Sequence, residues 1–352
     1  MGRPFELQTE RLTLRLLERG DVTAFVHYRN LPDVARYQDW ALPYTRDLAH
    51  ELVDEMERLG APTPGEWVQI AVVDTATGRL AGDLAIWLDD AGDSAMLGYT
   101  LAPAFQGNGY ATEAVAAIVD WLFAESPGRR AVHRISATLD PDNGASARVL
   151  EACGFVHEGT ARSAAFVRGE WADDARFGLL QPDWEAWKAR PTAPPGRVEL
   201  SELSNDDVRP LLRISPAFSQ RGMVAPIGAS FGDALVPEVV DGEAVVPWYR
   251  GIRADGQLVG FVMVAEPHHT EPYPYLWRLV IDRRHQLRGI GRRAVLAVAA
   301  HWRAAGETRL AVSYVPDLPG NPSRFYARLG FVPTGEVDDG EVVAMLDLTT
   351  VD

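Results

Sequence analysis

Twice along this chain a strand-like run stops, a glutamine follows, and a glycine-punctuated turn opens directly into an amphipathic helix. In the first copy residues 96–101 read as a strand and Gln106, Gly107, Asn108, Gly109, Tyr110 and Ala111 as the turn. The helix after them carries Val115, Ile118, Val119 and Leu122 on one face. In the second copy residues 276–281 read as the strand and Gln286, Leu287, Arg288, Gly289, Ile290 and Gly291 as the turn, before a helix with Val295, Val298, Ala299 and Trp302 on one face. Both turns obey Q-x-x-G-x-(G/A). Each is followed by a strand-like segment (133–139; 308–314), a loop bearing asparagine, a short helix and a Gly-Phe pair, Gly154-Phe155 or Gly330-Phe331. An offset of about 180 residues is one domain length, so the chain reads as two divergent copies of one domain.

The break between the copies is as legible. Three prolines and a glycine fall within residues 190–197, which gives an N-terminal domain over 1–190, a linker over 191–197 and a C-terminal domain over 198–352. At 352 residues each half is long enough to bury its own core. No stretch approaches the ~20 uncharged apolar residues that span a bilayer. The first residues lack a signal-peptide core and Cys153 is the single cysteine, so a cytoplasmic protein without disulfides is expected. Acidic residues outnumber basic ones by 49 to 34, a formal charge of −15. That balance opposes nucleic acid and anionic membranes as partners and would welcome a cationic substrate, although it also serves solubility alone.

A helix N-terminus presents unpaired N–H groups and a partial positive charge, and glycines let its backbone approach a phosphate closely. One such turn is weak evidence for a pyrophosphate site, whereas two in matched contexts are specific. The whole pattern resembles the acetyl-CoA-dependent N-acetyltransferase (GNAT) superfamily. The first half resembles ribosomal-protein-alanine N-acetyltransferases through Thr9, Glu10, Arg11 and Leu12, the turn with Thr112, Glu113 and Ala114, then Asn143, Ser146, Gly154 and Phe155. The second half resembles bacterial spermine/spermidine-type acetyltransferases through Val224, Ala225 and Pro226, residues 281–286 and residues 325–331. The resemblance implies an α/β fold of two tandem domains, each a central mixed β-sheet flanked by helices, with acetyl-CoA entering where two neighbouring strands splay apart.

The chemistry sets further expectations. An amine of pKa about 10 must lose a proton before it attacks, the thioester oxygen needs a hydrogen-bond donor, and the departing thiolate needs a proton. The resemblance implies backbone N–H groups near Leu101 and Ile281 for the oxygen. For the thiolate it implies Tyr326, four residues before Gly330, whose plainer reading is a packed aromatic. At the matching place the first half has Leu150, which cannot donate, so Ser146 is its candidate, or merely a helix cap. Ala165 stands where related enzymes carry a carboxylate, so the first domain is expected to be the weaker catalyst. Asn143 and, displaced by Pro319, Asn321 are the expected pantetheine contacts. Arg283, Arg284, Arg288, Arg292 and Arg293 crowd the second turn and would favour the second domain as cofactor binder, unless they form only a solvated basic helix end.

No general base stands out among Glu266, His268, His269 and Glu271, and the His268-His269 pair lacks the spacing of a metal site, so no metal is expected. Cys153 reads as packed, and Trp67, Trp87, Trp171 and Trp184 as core or cleft wall. The expected activity is acetyl transfer from acetyl-CoA to a primary amine of a small molecule, polyamine or amine-bearing antibiotic. A peptide N-terminus is the alternative acceptor, and a further alternative is that one domain, the first, is noncatalytic. A monomer and a homodimer are equally compatible with the sequence.

Overall fold

The computed structural model describes residues 5–126, 129–316 and 320–350. The chain divides into two compact units, Met1–Ala189 and Arg190–Asp352.

The first unit contains β1 (Glu6–Gln8), β2 (Leu12–Leu16), α1 (Val22–Arg29), α2 (Pro32–Ala35), α3 (Arg46–Leu59), β3 (Trp67–Asp74), β4 (Leu80–Leu88), β5 (Ser94–Leu101), α4 (Tyr110–Phe123), β6 (Arg134–Leu139), α5 (Gly144–Ala152), β7 (Val156–Val167), β8 (Glu170–Leu180) and α6 (Gln181–Lys188). Its strands form one sheet in the order β1-β2-β3-β4-β5-β6-β8-β7. Every ladder is antiparallel except β5 with β6. That parallel ladder holds only from Ser94↔Arg134 to Met96↔Ser136, after which the two strands run on to Leu101 and Leu139 without pairing to each other. β3 is buried from Val68 to Asp74, as a central strand covered on both faces must be. Helix α4 buries Ala114, Val115, Ile118, Val119 and Leu122, the helical stripe that seats it on the sheet.

The second unit contains β9 (Val198–Ser201), α7 (Asn205–Leu211), α8 (Ile227–Leu235), β10 (Val239–Val240), β11 (Glu243–Ala244), β12 (Pro247–Ala254), β13 (Gln257–Ala265), β14 (Tyr275–Ile281), α9 (Ile290–Ala304), β15 (Arg309–Tyr314), α10 (Ser323–Ala327), β16 (Val332–Asp338) and β17 (Glu341–Asp347). Its main sheet runs β16-β17-β15-β14-β13-β12-β9, the topology of the first sheet without the outermost strand, and β10 pairs β11 separately. The lone parallel ladder is again the one in front of the turn: β14 meets β15 only at Tyr275↔Ala311 and Leu276↔Val312. Helix α9 buries Ala294, Val295, Val298, Ala299 and Trp302, the stripe of α4 position for position. Two sheets flanked by helices are what the resemblance implied.

The proline-rich stretch expected to be a linker is docked on the second unit. Asp255 accepts hydrogen bonds from the N–H groups of Gly196 (3.3 Å) and Arg197 (2.8 Å), and its own N–H donates to Arg197 O (3.0 Å).

Candidate active site

The two turns are superimposable in their hydrogen bonding. Gln106 Nε2 donates to Leu101 O at 2.9 Å, and Gln286 Nε2 donates to Ile281 O at 2.9 Å. In both places the glutamine amide ties the turn to the last carbonyl of the preceding strand. The helix then starts from a left-handed glycine, Gly109 (φ 79°, ψ 4°) or Gly289 (φ 76°, ψ 3°), a conformation that costs any side chain with a Cβ. Neither helix has a side-chain N-cap, so the first-turn N–H groups of Tyr110 and Ala111, and of Ile290 and Gly291, face outward for an anionic ligand. The turns differ at the second position, where Gly107 (φ 75°) is matched by Leu287 (φ 60°), a fully exposed apolar side chain held in the left-handed region.

Strand phase decides what lines the opening. Ala102 N–H donates to Ala81 O (2.9 Å), so by antiparallel alternation Leu97, Tyr99 and Leu101 turn their N–H groups away from β4 toward the gap left by β6. In the second unit Asp282 N–H donates to Val259 O (2.9 Å), which points those of Leu279 and Ile281 toward β15, beyond a bulge in β14 at Trp277. The gap in the first unit is a cleft of about 510 Å³. Its walls are β5 from Leu97 to Leu101 and β6 from Ala137 to Leu139. The turn closes one end, and Asn143, Ser146 and Leu150 of the α5 segment close the side.

Ser146 sits inside this cleft with its Oγ 2.8 Å from the Tyr99 hydroxyl. It is not the cap of α5. That role belongs to Asn143, whose Oδ1 accepts from Ser146 N at 3.1 Å, so the Asn143 side chain is spent on the helix while still lining the cleft. Burial pushes the Tyr99 phenol well above its ordinary range. Cys153 is packed with its thiol pushed up to about 12 by burial, outside the range of a nucleophile at neutral pH.

Two residues of the first site carried no expected role. Arg11 Nη1 donates to Asn108 O at 2.9 Å, bracing the turn from the bend ahead of β2, and Glu113 accepts from the guanidinium and N–H of Arg11 and from Thr9 Oγ1 (2.6 Å). Burial pushes the Glu113 carboxyl up, but the hydrogen bonds from Thr9 and Arg11 outweigh it and hold the group below the ordinary carboxylate range. The signal for Arg11 lay in the Thr9–Leu12 motif, read only as a likeness. Tyr99 had no local signal, because its partner is 47 residues away.

In the second unit the expected constellation comes apart. Arg288 is buried, donating through Nε to Ala193 O (2.8 Å) and lying 2.9 Å from His285 Nδ1, so its guanidinium does not reach a ligand at the turn. Arg293 donates to Pro195 O (2.7 Å) and Gly196 O (3.0 Å), and Arg284 pairs with Asp282 (2.8 Å). Arg292 is exposed with no side-chain partner among the described residues. Two of the five arginines, Arg288 and Arg293, therefore hold the segment before β9. Tyr326 belongs to the core, its ring stacked on Tyr314 (centroids 6.1 Å, 18°) and edge-on to Phe325 and Phe331, where burial pushes its pKa far up. Asn321 spends its amide locally, on Pro316 O (2.7 Å) and Ser323 N (3.1 Å). Pro319 lies outside the described residues.

The remaining candidates are peripheral. His269 bridges Asp241 (3.3 Å) and Glu243 (3.2 Å), whose hydrogen bonds, Asp241's first, raise its pKa. No group of three or more His, Cys, Asp or Glu side chains suited to a metal occurs among the described residues. Trp67 and Trp171 are half or more exposed and are neither core nor cleft wall, whereas Trp184 is buried.

The comparisons with known proteins agree with this geometry. An acetyltransferase (GNAT) domain family matches residues 11–156, and the acetyltransferase (GNAT) family matches residues 225–331. The chain belongs to the GNAT family of N-acetyltransferases, twice over. Enzymes of this family use acetyl-CoA, and the uncapped glycine-led helix starts fit its pyrophosphate. Among relatives, the Bacillus subtilis protein YkkB is 32% identical over 166 residues, 46% of this chain and 91% of that one. The spermidine N(1)-acetyltransferase of Vibrio cholerae is 29% identical over 173 residues, 49% of this chain and 94% of its own. The ribosomal protein uS5-alanine N-acetyltransferase of Escherichia coli is 33% identical over 88 residues, 25% of this chain and 43% of its own. Both the ribosomal-protein and the spermidine likeness fall on the first half. The second half matches at the level of the family, without a more specific likeness.

Proposed function

We propose that the first domain transfers the acetyl group of acetyl-CoA to a primary amine of a small molecule, of the polyamine or amine-bearing antibiotic class, by direct attack, and that the second domain plays a supporting part. The observation that carries this reading is the 510 Å³ cleft, which brings the phosphate turn, the outward N–H edge of β5 and Ser146 to one space. Bound acetyl-CoA would supply the activated acetyl thioester. The N–H groups of Tyr110 and Ala111, with close approach allowed at Gly107 and Gly109, hold the pyrophosphate. The β5 edge N–H groups of Tyr99 and Leu101, beyond the last ladder pair with β6, lie along the thioester arm and stabilise negative charge on its oxygen. Ser146 Oγ supplies the proton that the departing sulfur needs. Asp33 and Asp140 on the cleft wall favour an ammonium-bearing acceptor. In the second domain Arg288 and Arg293 are turned onto the segment before β9 and Arg284 onto Asp282, which leaves Arg292 as the exposed cation beside that turn.

A panel of acceptors offered to the full chain with acetyl-CoA, read as free thiol, tests the reading. Spermine, spermidine or an aminoglycoside should support turnover well above that with an alanine-initiated peptide. Turnover with the peptide alone would favour the second reading, a protein N-terminal acetyltransferase, for which the likeness to the uS5-alanine enzyme speaks.

A further inference from the structure

We propose that Tyr99 is the positioning residue that turns the Ser146 hydroxyl toward the departing thiolate in the first domain. The inference rests on the reading of Ser146 as the proton donor. The Tyr99 hydroxyl lies 2.8 Å from both Ser146 Oγ and Ser146 O. It has one proton to give, and two arrangements are available. If Tyr99 donates to the carbonyl, Ser146 Oγ–H points back at the phenol and its proton is turned away from the cleft. If Tyr99 donates to Oγ, the Ser146 proton is released into the cleft.

The surroundings favour the second arrangement once a thiolate forms. The Ser146 carbonyl is already served by the i to i−4 ladder of α5, so it loses little when the phenol turns away. An anionic sulfur is a stronger acceptor for the Ser146 proton than a neutral phenol. Tyr99 is partly buried on the cleft wall and burial makes its phenol hard to ionise, so it acts as a fixed donor and not a proton source.

The proton count closes without an alkoxide. A hydroxyl offers one donor and two lone pairs. The acceptor nitrogen forms the new C–N bond, the C–S bond breaks with its electron pair on sulfur, and Ser146 Oγ–H passes to that sulfur. The proton shed by the nitrogen returns to the second lone pair of Ser146 Oγ, the first being held by Tyr99. Serine and tyrosine both end as they began. The second domain lacks the device: Leu279 stands at the place of Tyr99 on its strand, and Pro322 at the place of Ser146 before its Gly-Phe pair.

The test is a double-mutant cycle on the full chain with an accepted amine, read as thiol release, alongside CoA affinity by calorimetry. Tyr99→Phe removes one hydroxyl and keeps the ring, and a melting curve with and without CoA checks that the cleft remains. It should lower kcat about tenfold while changing CoA affinity less than about twofold, and Ser146→Ala should lower kcat about a hundredfold. In the Ser146→Ala background, Tyr99→Phe should cost nothing more. Losses that multiply would overturn the positioning role and leave Ser146 as the donor. Loss of CoA affinity in Tyr99→Phe would also overturn it. A Ser146→Ala chain of full activity would remove the donor and the inference together.

Discussion

At the scale of single residues, what a side chain does here is set by whether its polar atoms are already spent. Tyr326 has the position of a proton donor: its ring sits in an aromatic stack with Tyr314, Phe325 and Phe331, and its hydroxyl makes no hydrogen bond among the described residues. Because the proposed transfer runs in the first domain, Tyr326→Phe should change thiol release by less than about twofold in steady-state assays, and a tenfold loss would return catalysis to the second domain. Glu113 shows the opposite case, a carboxylate whose hydrogen bonds from Thr9 and Arg11 keep its pKa low in the folded chain. A depressed carboxylate stabilises the fold above its unfolded pKa of about 4.3, and that contribution disappears as pH falls through the lower, folded value. Glu113→Gln should accordingly melt below the parent at pH 7, with the gap closing as pH falls below about 4. A gap of constant size across that window would mean that the Glu113 charge is not what braces the turn.

At the scale of elements, the strand–turn–helix junction is the unit that repeats, and its geometry explains which parts of it could be read in advance. The splay of the strands behind the turns came from the family resemblance alone. Glycine spacing and helical stripes are local, so both turns and both helices were visible in the residues themselves: Val115, Ile118 and Val119 mark a buried face whatever lies beyond them. Partners brought together by the sheet were not. Arg11 reaches Asn108 across 97 residues, Arg288 reaches Ala193 across 95, and no residue near either arginine in sequence names its partner. Basic residues crowded beside a phosphate turn read as ligand contacts for that reason, although most of their hydrogen bonds are internal. The junctions also make a paired prediction. Gly109→Val and Gly289→Val each force a β-branched residue to a left-handed φ near 79° and 76°, at a cost of order 1–3 kcal/mol. Gly109→Val should lower thiol release by more than about tenfold, whereas Gly289→Val should spare most of it. The reverse ranking would move the transferase site to the second junction.

At the scale of the whole molecule, two domains of one topology have diverged in what surrounds the same turn, and the net charge acts on the chain as a whole. A formal charge of −15 attracts a polycationic acceptor and repels polyanionic acetyl-CoA, so salt should move the two Michaelis constants in opposite directions. Raising ionic strength from about 0.05 to 0.5 M shortens the screening length from roughly 14 to 4 Å, which removes most long-range attraction while leaving contacts within the cleft. The KM for spermine should rise severalfold over that range as the KM for acetyl-CoA holds or falls, in initial-rate assays at fixed pH. A neutral or monocationic amine should show a weaker rise, because the field acts in proportion to charge. If the constants for spermine and acetyl-CoA rise together, screening at the phosphate turn outweighs the field of the chain. The acidic composition then belongs to solubility, and acceptor choice rests on the cleft wall around Asp33 and Asp140 alone.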